Sequence, residues 1–409
     1  MKRILYFITG LIGLFFLVLL GLYIIPPGQP DYQYRPFEFD AQGKYKDKVG
    51  WYQGDDDLLY QVTWSSSGGL RLNHFDTLRS NLMSYHLIQS DDDVFYIDKE
   101  NSKNTAEFIT SDFGGHILNI NDQDLKATLE KVDSAFYNQE EIRYYNQEVS
   151  LVGTLFTPIH DDRKTTLVFI HGSGVSDRGN FWYMYQADYF AKKGYTVLLP
   201  DKRGCGKSHG EWHTASFDDF AMDITVGIEY LIERQEMRDH KVGVLGLSQG
   251  GWISHIVAEK SHDVDFVIDV VSSATTPAEQ LYFEIKRDME DGGAPSFISG
   301  LLSTVFSRRS MGKRKVWWDH NKDYDPISML SKTRVPVLKI FGSEDKNVPV
   351  EKSLSNLELM MIDQPDLPIT IKVFEDSGHA LFNDNNRWIR TDYLDLVNGW
   401  IGRSDINSN

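Results

Sequence analysis

The stretch KVGVLGLSQGGW, residues 241–252, decides the fold of this chain. Residues 242–247 are apolar or glycine, which predicts a buried strand, and the residues that follow, GGWISHIVAEK, predict a helix. Between the two, Gly246 and Gly250 flank Ser248 at a spacing that permits a tight, strained turn, because glycine has no side chain to clash there. The pattern therefore predicts a strand, a sharp turn and a helix, with Ser248 raised at the strand end as a candidate nucleophile.

From about residue 140 onward, apolar strands alternate with segments of helical length. The strands are TTLVFI (165–170), YTVLLP (195–200), KVGVLGL (241–247), DFVIDVV (265–271), VPVLKIF (335–341) and ITIKVF (369–374). This alternation predicts an α/β fold with a mostly parallel sheet covered on both faces. The segment EIRYYNQEVSLVGTLFTP (141–158) predicts a hairpin at an antiparallel edge. Residues 274–334 show no strand pattern but many helix formers, which predicts a helical cap insertion.

A small all-β domain is predicted over residues 44–139. Its segments alternate apolar and polar residues or carry aromatic and branched side chains: LLYQVTW, GLRLNHF, NLMSYHLI, DVFYIDK, AEFITSD and HILNIN. The stretches SSSGG, SDDD and DFGG between them are typical of turns.

The N-terminus carries a long apolar run. Residues 4–25 are 22 uncharged, mostly apolar residues preceded by Lys2 and Arg3, and a helix of that length would span about 33 Å. We expect residues 1–30 to form a membrane anchor and linker, with a cleaved signal peptide as the alternative. The basic flank predicts a single-pass location at the cell membrane, with the remainder of the chain on the extracytoplasmic side.

Charge and cysteine content exclude several functions. The chain has 409 residues and a formal net charge of −17, which disfavours nucleic acid as a partner because phosphate binding needs a basic face. It contains one cysteine, Cys205, so neither an internal disulfide nor a cysteine-based metal cluster can form.

Two further strand ends carry an acid and a histidine in the order that an acyl-transfer site requires. VPVLKIFGSEDKNVP presents Asp345 after its strand, and ITIKVFEDSGHALF presents His379 after the next. A base must take the serine proton and an acid must orient that base, so Ser248, His379 and Asp345 are the predicted catalytic residues. Glu344 is the competing acid.

The segment LVFIHGSG (167–174) follows the first parallel strand and is rich in glycine. Such a loop can supply backbone N–H groups to an oxyanion, so we expect the N–H groups of Ser173 and Gln249 to form the oxyanion hole. His171 in the same segment is interpreted as a structural histidine rather than a base.

With these motifs in place, residues 140–403 resemble the α/β-hydrolase superfamily. GSGVSDRGN, GYTVLLPDKRGCGKSHGEW and YDPISML are similar to segments found in bacterial serine esterases and prolyl-peptidase-like hydrolases. The resemblance implies a Ser-His-Asp hydrolase that uses no metal and no cofactor. Dienelactone hydrolases of similar fold carry cysteine where this chain has Ser248, which counts against that branch. The β domain is not part of the superfamily pattern.

Three functions remain open from the sequence. The leading one is a serine hydrolase of carboxylic esters, acting on a small-molecule ester. The second is a serine peptidase of the same fold, for which DMEDGG (288–293) could bind the free α-amine of a short peptide. The third is a non-catalytic binding or scaffold protein that works through the β domain. SRRSMGKRK and VWWDH in the cap could shape substrate choice, although surface and cap packing is the favoured interpretation.

Overall fold

Two sheets, a closed barrel and an open eight-stranded sheet, make up the computed structural model of this protein. The structure describes residues 2–28, 30, 45, 47–54, 59–65, 69–76, 81–111, 115–123, 125–132, 136–382 and 389–403. Residue 44, where the β domain was predicted to begin, lies outside these ranges.

The barrel contains eight antiparallel strands and closes through pairing of its first strand with its last. The strands are β1 (Gly50–Gln53), β2 (Leu59–Ser65), β3 (Gly69–Asp76), β4 (Asn81–Gln89), β5 (Val94–Ile97), β6 (Thr105–Thr110), β7 (His116–Asn121) and β8 (Lys126–Val132). Alternate side chains such as Leu72, Phe95 and Leu118 fill its interior, as the period of two requires. The predicted all-β domain is confirmed, but β1 and β8, which close the barrel, were not predicted.

The second sheet is mixed and has the strand order β16-β15-β14-β13-β11-β12-β10-β9. Its strands are β9 (Tyr137–Asn146), β10 (Val149–Pro158), β11 (Thr165–Ile170), β12 (Thr196–Pro200), β13 (Lys241–Leu247), β14 (Phe266–Val270), β15 (Val337–Gly342) and β16 (Ile369–Phe374). β9 and β10 form an antiparallel hairpin and β10 pairs antiparallel with β12, whereas every pairing from β12 to β16 is parallel. The predicted sheet with an antiparallel edge is confirmed.

Helices cover both faces of this sheet. They are α2 (Phe181–Lys192), α3 (Phe217–Ile232), α4 (Gln249–Lys260), α9 (Val350–Asp363) and α10 (Thr391–Ile401). Val168 on β11 packs into the core cluster that includes α3, α4 and α9, and its neighbour Leu167 packs into the cluster that includes α2 and α10. Because both faces are buried, central strands such as β11 and β13 are nearly continuous apolar runs rather than alternating ones.

The segment 274–334 forms four helices. They are α5 (Pro277–Asp291), α6 (Ser296–Lys313), α7 (Lys315–Asn321) and α8 (Pro326–Leu330). Helix α5 begins with a capping box in which Thr276 and Glu279 satisfy each other's backbone N–H groups. Trp317 on α7 is buried and meets the Phe217 ring edge-on, with centroids 5.7 Å apart. Trp317 of the VWWDH segment therefore belongs to the packing between cap and core.

The barrel contacts the sheet domain through a buried polar bridge. Gln61 Nε2 on β2 donates to the hydroxyl of Tyr137 (2.9 Å), which in turn donates to Asp188 Oδ1 on α2 (2.6 Å). Beside it, Lys192 Nζ lies 4.3 Å from the centroid of the Trp51 ring, a cation–π contact. These contacts fix the barrel against the outer face of α2.

The N-terminal run forms helix α1 (Lys2–Ile24), which was predicted to be a transmembrane anchor. Among the helices of the described ranges, none combines the length and the apolar character that crossing a bilayer requires. This finding contradicts the predicted single-pass membrane location with an extracytoplasmic domain, and we correct that prediction. The C-terminal end of α1 instead lies against cap helix α6, where Arg309 Nη1 donates to the carbonyl oxygens of Leu22 (2.8 Å) and Ile25 (3.0 Å).

Candidate active site

Ser248 lies at the turn between β13 and α4 and adopts a left-handed backbone conformation, with φ 57° and ψ −121°. A Cβ on Gly246 would lie 2.1 Å from the carbonyl oxygen of Gly250, and one on Gly250 would lie 2.1 Å from the carbonyl oxygen of Ile170. Both positions therefore require glycine. Backbone strain of this kind costs about 1–3 kcal/mol and persists where the surroundings hold it.

His379 lies between Ser248 and Asp345. Its Nε2 is 3.0 Å from Ser248 Oγ, and its Nδ1 is 2.8 Å from Asp345 Oδ2. The other carboxylate oxygen, Asp345 Oδ1, accepts the backbone N–H groups of Asn347 (2.8 Å) and Val348 (3.0 Å), which fixes the carboxylate plane. Both distances to the imidazole are within the range that proton transfer requires.

The two candidate acids differ in burial and in contacts. The Asp345 side chain is fully buried, whereas Glu344 is exposed and its backbone N–H is bound to the carbonyl of Ser377. Asp345, and not Glu344, contacts His379.

The loop after β11 lies directly beside the serine. A Cβ on Gly172 would be 3.3 Å from Ser248 Cβ, and the N–H of Gly172 already donates to Tyr183 Oη (2.7 Å). The next backbone N–H along this loop that could donate to an oxyanion is therefore that of Ser173. Gln249 is the first residue of α4, at the helix end where backbone N–H groups are left without intrahelical partners.

His171 is enclosed, as interpreted from the sequence. Its Nε2 is 2.6 Å from the carbonyl oxygen of Pro200, and its Nδ1 is 2.8 Å from Ser176 Oγ. The pKa of His171 is lowered to about 4, mainly by burial; the hydrogen bond to the Pro200 carbonyl opposes this shift and the charge of nearby Lys202 adds to it. The residue is thus neutral near pH 7 and engaged at both ring nitrogens.

Two charged residues near the site were not predicted. Lys202 Nζ donates to the carbonyl oxygens of Gly172 (2.8 Å) and Gly174 (3.1 Å) in the loop beside Ser248. Glu284, on cap helix α5, is close enough to His379 for the imidazole charge to affect its carboxyl group. The one sequence signal for Lys202 is a lysine two residues after the end of a buried strand, and for Glu284 there is none.

A cleft of about 700 Å³ separates α5 from the loop after β15. Asp345 and Val348 line one side, and Tyr282 and Phe283 line the other. The cleft therefore reaches the acid side of the site and combines aromatic with polar surface. In the described ranges, no group of three or more His, Cys, Asp or Glu side chains is arranged to hold a metal ion.

Comparison with known proteins agrees with this architecture. A family model described as the alpha/beta hydrolase fold matches residues 165–291. The chain is 21% identical over 253 residues to the acylamino-acid-releasing enzyme of Rattus norvegicus, covering 60% of this chain and 32% of that relative. It is 26% identical over 204 residues to the bifunctional esterase/perhydrolase DCH of Acinetobacter calcoaceticus, covering 40% and 70%.

A solved structure matches over most of the chain. The acylaminoacyl peptidase of Pyrococcus horikoshii matches with a TM-score of 0.53 and 15% identity, covering 88% of this chain and 57% of that one. This chain spans about a third of the length of the rat relative. The sheet order and the turn at Ser248 agree with the family model matched over residues 165–291, and this part of the chain has the α/β-hydrolase fold.

Proposed function

We propose that this protein is a serine hydrolase that cleaves carboxylic esters through a covalent acyl-enzyme. The observation that carries the proposal is the contact of one imidazole with both partners, His379 Nε2 to Ser248 Oγ at 3.0 Å and Nδ1 to Asp345 Oδ2 at 2.8 Å. A buried carboxylate bound to Nδ1 selects the tautomer whose Nε2 accepts a proton.

The mechanism follows from these contacts. His379 Nε2 takes the Ser248 proton as Oγ attacks the ester carbonyl carbon, and the N–H groups of Ser173 and Gln249 bind the oxyanion. The tetrahedral intermediate expels the alcohol, which leaves with the proton from His379. Water then gives a proton to His379 and attacks the acyl carbon, and the acid leaves as Ser248 Oγ regains its proton. Asp345 remains ionised and stabilises the imidazolium in both steps.

Covalent labelling tests the proposal. A fluorophosphonate should attach to Ser248, and Ser248→Ala should abolish both labelling and hydrolysis of p-nitrophenyl esters. Ser343→Ala is the matched control, because Ser343 is an exposed serine at the same sheet edge. Labelling of the Ser248→Ala protein at another serine would contradict the assignment.

Peptide-bond cleavage is the second candidate, and Glu284 is the observation that favours it. Burial raises the pKa of this cap carboxyl group and the charge of His379 lowers it, and its one described hydrogen bond is a 3.4 Å contact from Gln280 Nε2. A carboxylate so placed could pair with the free α-ammonium of a peptide. Asp291 of the 288–293 segment is less suited, because it pairs with Lys346 (2.6 Å) on the surface.

A substrate panel separates the two candidates. Esterase function predicts turnover of p-nitrophenyl esters that Glu284→Gln leaves unchanged. Peptidase function predicts turnover of aminoacyl p-nitroanilides, with a KM that rises about tenfold or more in Glu284→Gln, since a partly buried ion pair is lost. Inactivity in both series would favour a binding role for the protein.

A further inference from the structure

Lys202 is a buried lysine whose ammonium group binds the loop beside the candidate nucleophile. It follows β12, and its side chain passes over the Phe220 ring, with Nζ 4.7 Å from the ring centroid. Nζ donates to the carbonyl oxygens of Gly172 and Gly174 at 2.8 and 3.1 Å. The residue is 7% exposed, so water does not solvate its charge as it would at the surface.

The partners of Lys202 differ from those of its charged neighbours. Asp201 on one side lies 3.5 Å from Arg178, and Arg203 on the other side binds Asp223 at 2.6 Å. No carboxylate in the described ranges lies within 4.0 Å of Lys202 Nζ. Burying a charge without a counter-ion lowers the stability of the fold. The contacts of Lys202 with two backbone carbonyl groups and an aromatic face therefore indicate a role other than stabilising the fold.

The bond to Gly172 has a direct consequence for the next residue. The carbonyl of Gly172 and the N–H of Ser173 belong to the same peptide unit, which is planar and trans, so the two groups point in opposite directions. Fixing the oxygen with Lys202 therefore fixes the direction of the Ser173 N–H. A positive charge on the oxygen also polarises the unit, which makes the N–H a stronger donor.

A second contact holds the same loop from the other side. Tyr183 Oη on α2 accepts the N–H of Gly172 at 2.7 Å, and Gly172 packs against Ser248. The peptide units before and after Gly172 are therefore both held, one through its N–H and the other through its oxygen. Such preorganisation is what an oxyanion site needs, because its dipoles must not reorient during the reaction.

We propose that Lys202 is a positioning residue that orients and polarises the Ser173 amide as an oxyanion donor. The proposal rests on the proposed serine hydrolase function and extends it to a residue that does not touch substrate. It assigns the charge of Lys202 to stabilisation of the transition state rather than to stability of the fold.

Titration of this lysine supports the proposal. Burial lowers the pKa of Lys202 to about 8, while Cys205 raises it and Arg314 lowers it. His171, the neighbouring imidazole, is neutral at that pH because burial lowers its pKa to about 4. The ammonium charge is therefore present near pH 7 and is lost as the pH rises above about 8.

The experiment compares Lys202→Met, Lys202→Arg and the control Lys207→Met in hydrolysis of a p-nitrophenyl ester. Lys207 lies on the same loop but pairs with Glu141 at the surface, and its replacement should leave the rate within about twofold. Lys202→Met should lower kcat roughly 10- to 100-fold with KM nearly unchanged, because an interaction of the transition state is weakened. Lys202→Arg, which keeps the charge, should recover part of that loss.

Two further readouts exclude a merely structural role. The inhibition constant of a boronic acid that mimics the tetrahedral intermediate should rise in Lys202→Met in parallel with the fall in kcat. The acylation rate of the wild-type protein should decline above about pH 8, a limb that Lys202→Met lacks. Unchanged kcat and inhibition in Lys202→Met, with an active wild type, would overturn this proposal alone. A wild type that neither turns over esters nor reacts with fluorophosphonate would overturn it together with the proposed function.

Discussion

The buried charge of Lys202 predicts a pH dependence of stability that a surface lysine would not show. Its pKa in the folded protein is about 8, against 10.5 for an ordinary lysine. Between these pH values the unfolded chain holds a proton that the folded chain has released, so the free energy of unfolding rises with pH across this window. At about 1.4 kcal/mol for each pKa unit, the gain is on the order of 3 kcal/mol. Below about pH 8 both states are protonated and the gain is absent.

Urea unfolding at pH 7.5, 9 and 10.5 measures this gain as a difference between the wild type and Lys202→Met. Near pH 7.5 the two proteins should have similar free energies of unfolding. Removing the buried charge stabilises Lys202→Met, but the variant leaves two carbonyl groups without a donor, which costs about 1–3 kcal/mol each. By pH 10.5 the wild type should have gained about 3 kcal/mol relative to the variant. Lys202→Arg, whose guanidinium stays charged throughout, should show no such gain. Wild-type and Lys202→Met stabilities that follow parallel curves from pH 7.5 to 10.5 would refute the reasoning.

Three further substitutions test the site and its support. Asp345→Asn should stay folded by circular dichroism yet lower kcat by about 10³–10⁴-fold, because an amide favours the wrong imidazole tautomer. Glu344→Gln should lower kcat by less than about threefold. Equal losses of kcat in the two variants would contradict the assignment. Gly250→Ala puts a methyl group 2.1 Å from a backbone oxygen and should destabilise by about 1–3 kcal/mol in urea unfolding, while Gly399→Ala, whose methyl meets no atom within 4 Å, should not. Lys339→Met removes the cation from the buried Asp269 carboxylate, which keeps its contact with His255 Nε2 (2.8 Å), and should lower the free energy of unfolding by about 3–5 kcal/mol at neutral pH. Wild-type stability in this variant would argue against that ion pair.

Much of the sheet domain was predictable because its signals are local. Each parallel strand is a short apolar run, and the glycines around Ser248 mark the turn within five residues. The positions of Asp345 and His379 near Ser248 could be predicted because the carboxyl ends of parallel strands lie at the same edge of a sheet. Asp345 was predicted over Glu344 from the sequence, but the contact of Asp345 with His379 is seen only in the structure, since adjacent residues in a turn differ in the direction their side chains take.

The features that were missed depend on contacts between distant parts of the chain. Strand β1 is four residues long and carries no pattern of its own, and it is recognisable through its pairing with β8, about eighty residues later. The predicted membrane span rested on the apolar character of a single segment, which says nothing of what that segment packs against. Lys202 owes its proposed role to two carbonyl groups some thirty residues away. Local sequence patterns do not predict such long-range contacts.

The contact between α1 and the cap has a consequence for how this protein is produced and compared. Arg309 on α6 binds two carbonyl oxygens at the C-terminal end of α1, where the helix dipole favours a cation. A Cβ on Gly312 would lie 2.8 Å from the Pro27 ring, so the two segments fit closely. The first helix thus packs against the cap and supports it. Shortening the chain to begin beyond residue 30 would remove this support. A difference in substrate preference between the full-length and shortened proteins would then reflect the order of the cap rather than the chemistry at Ser248.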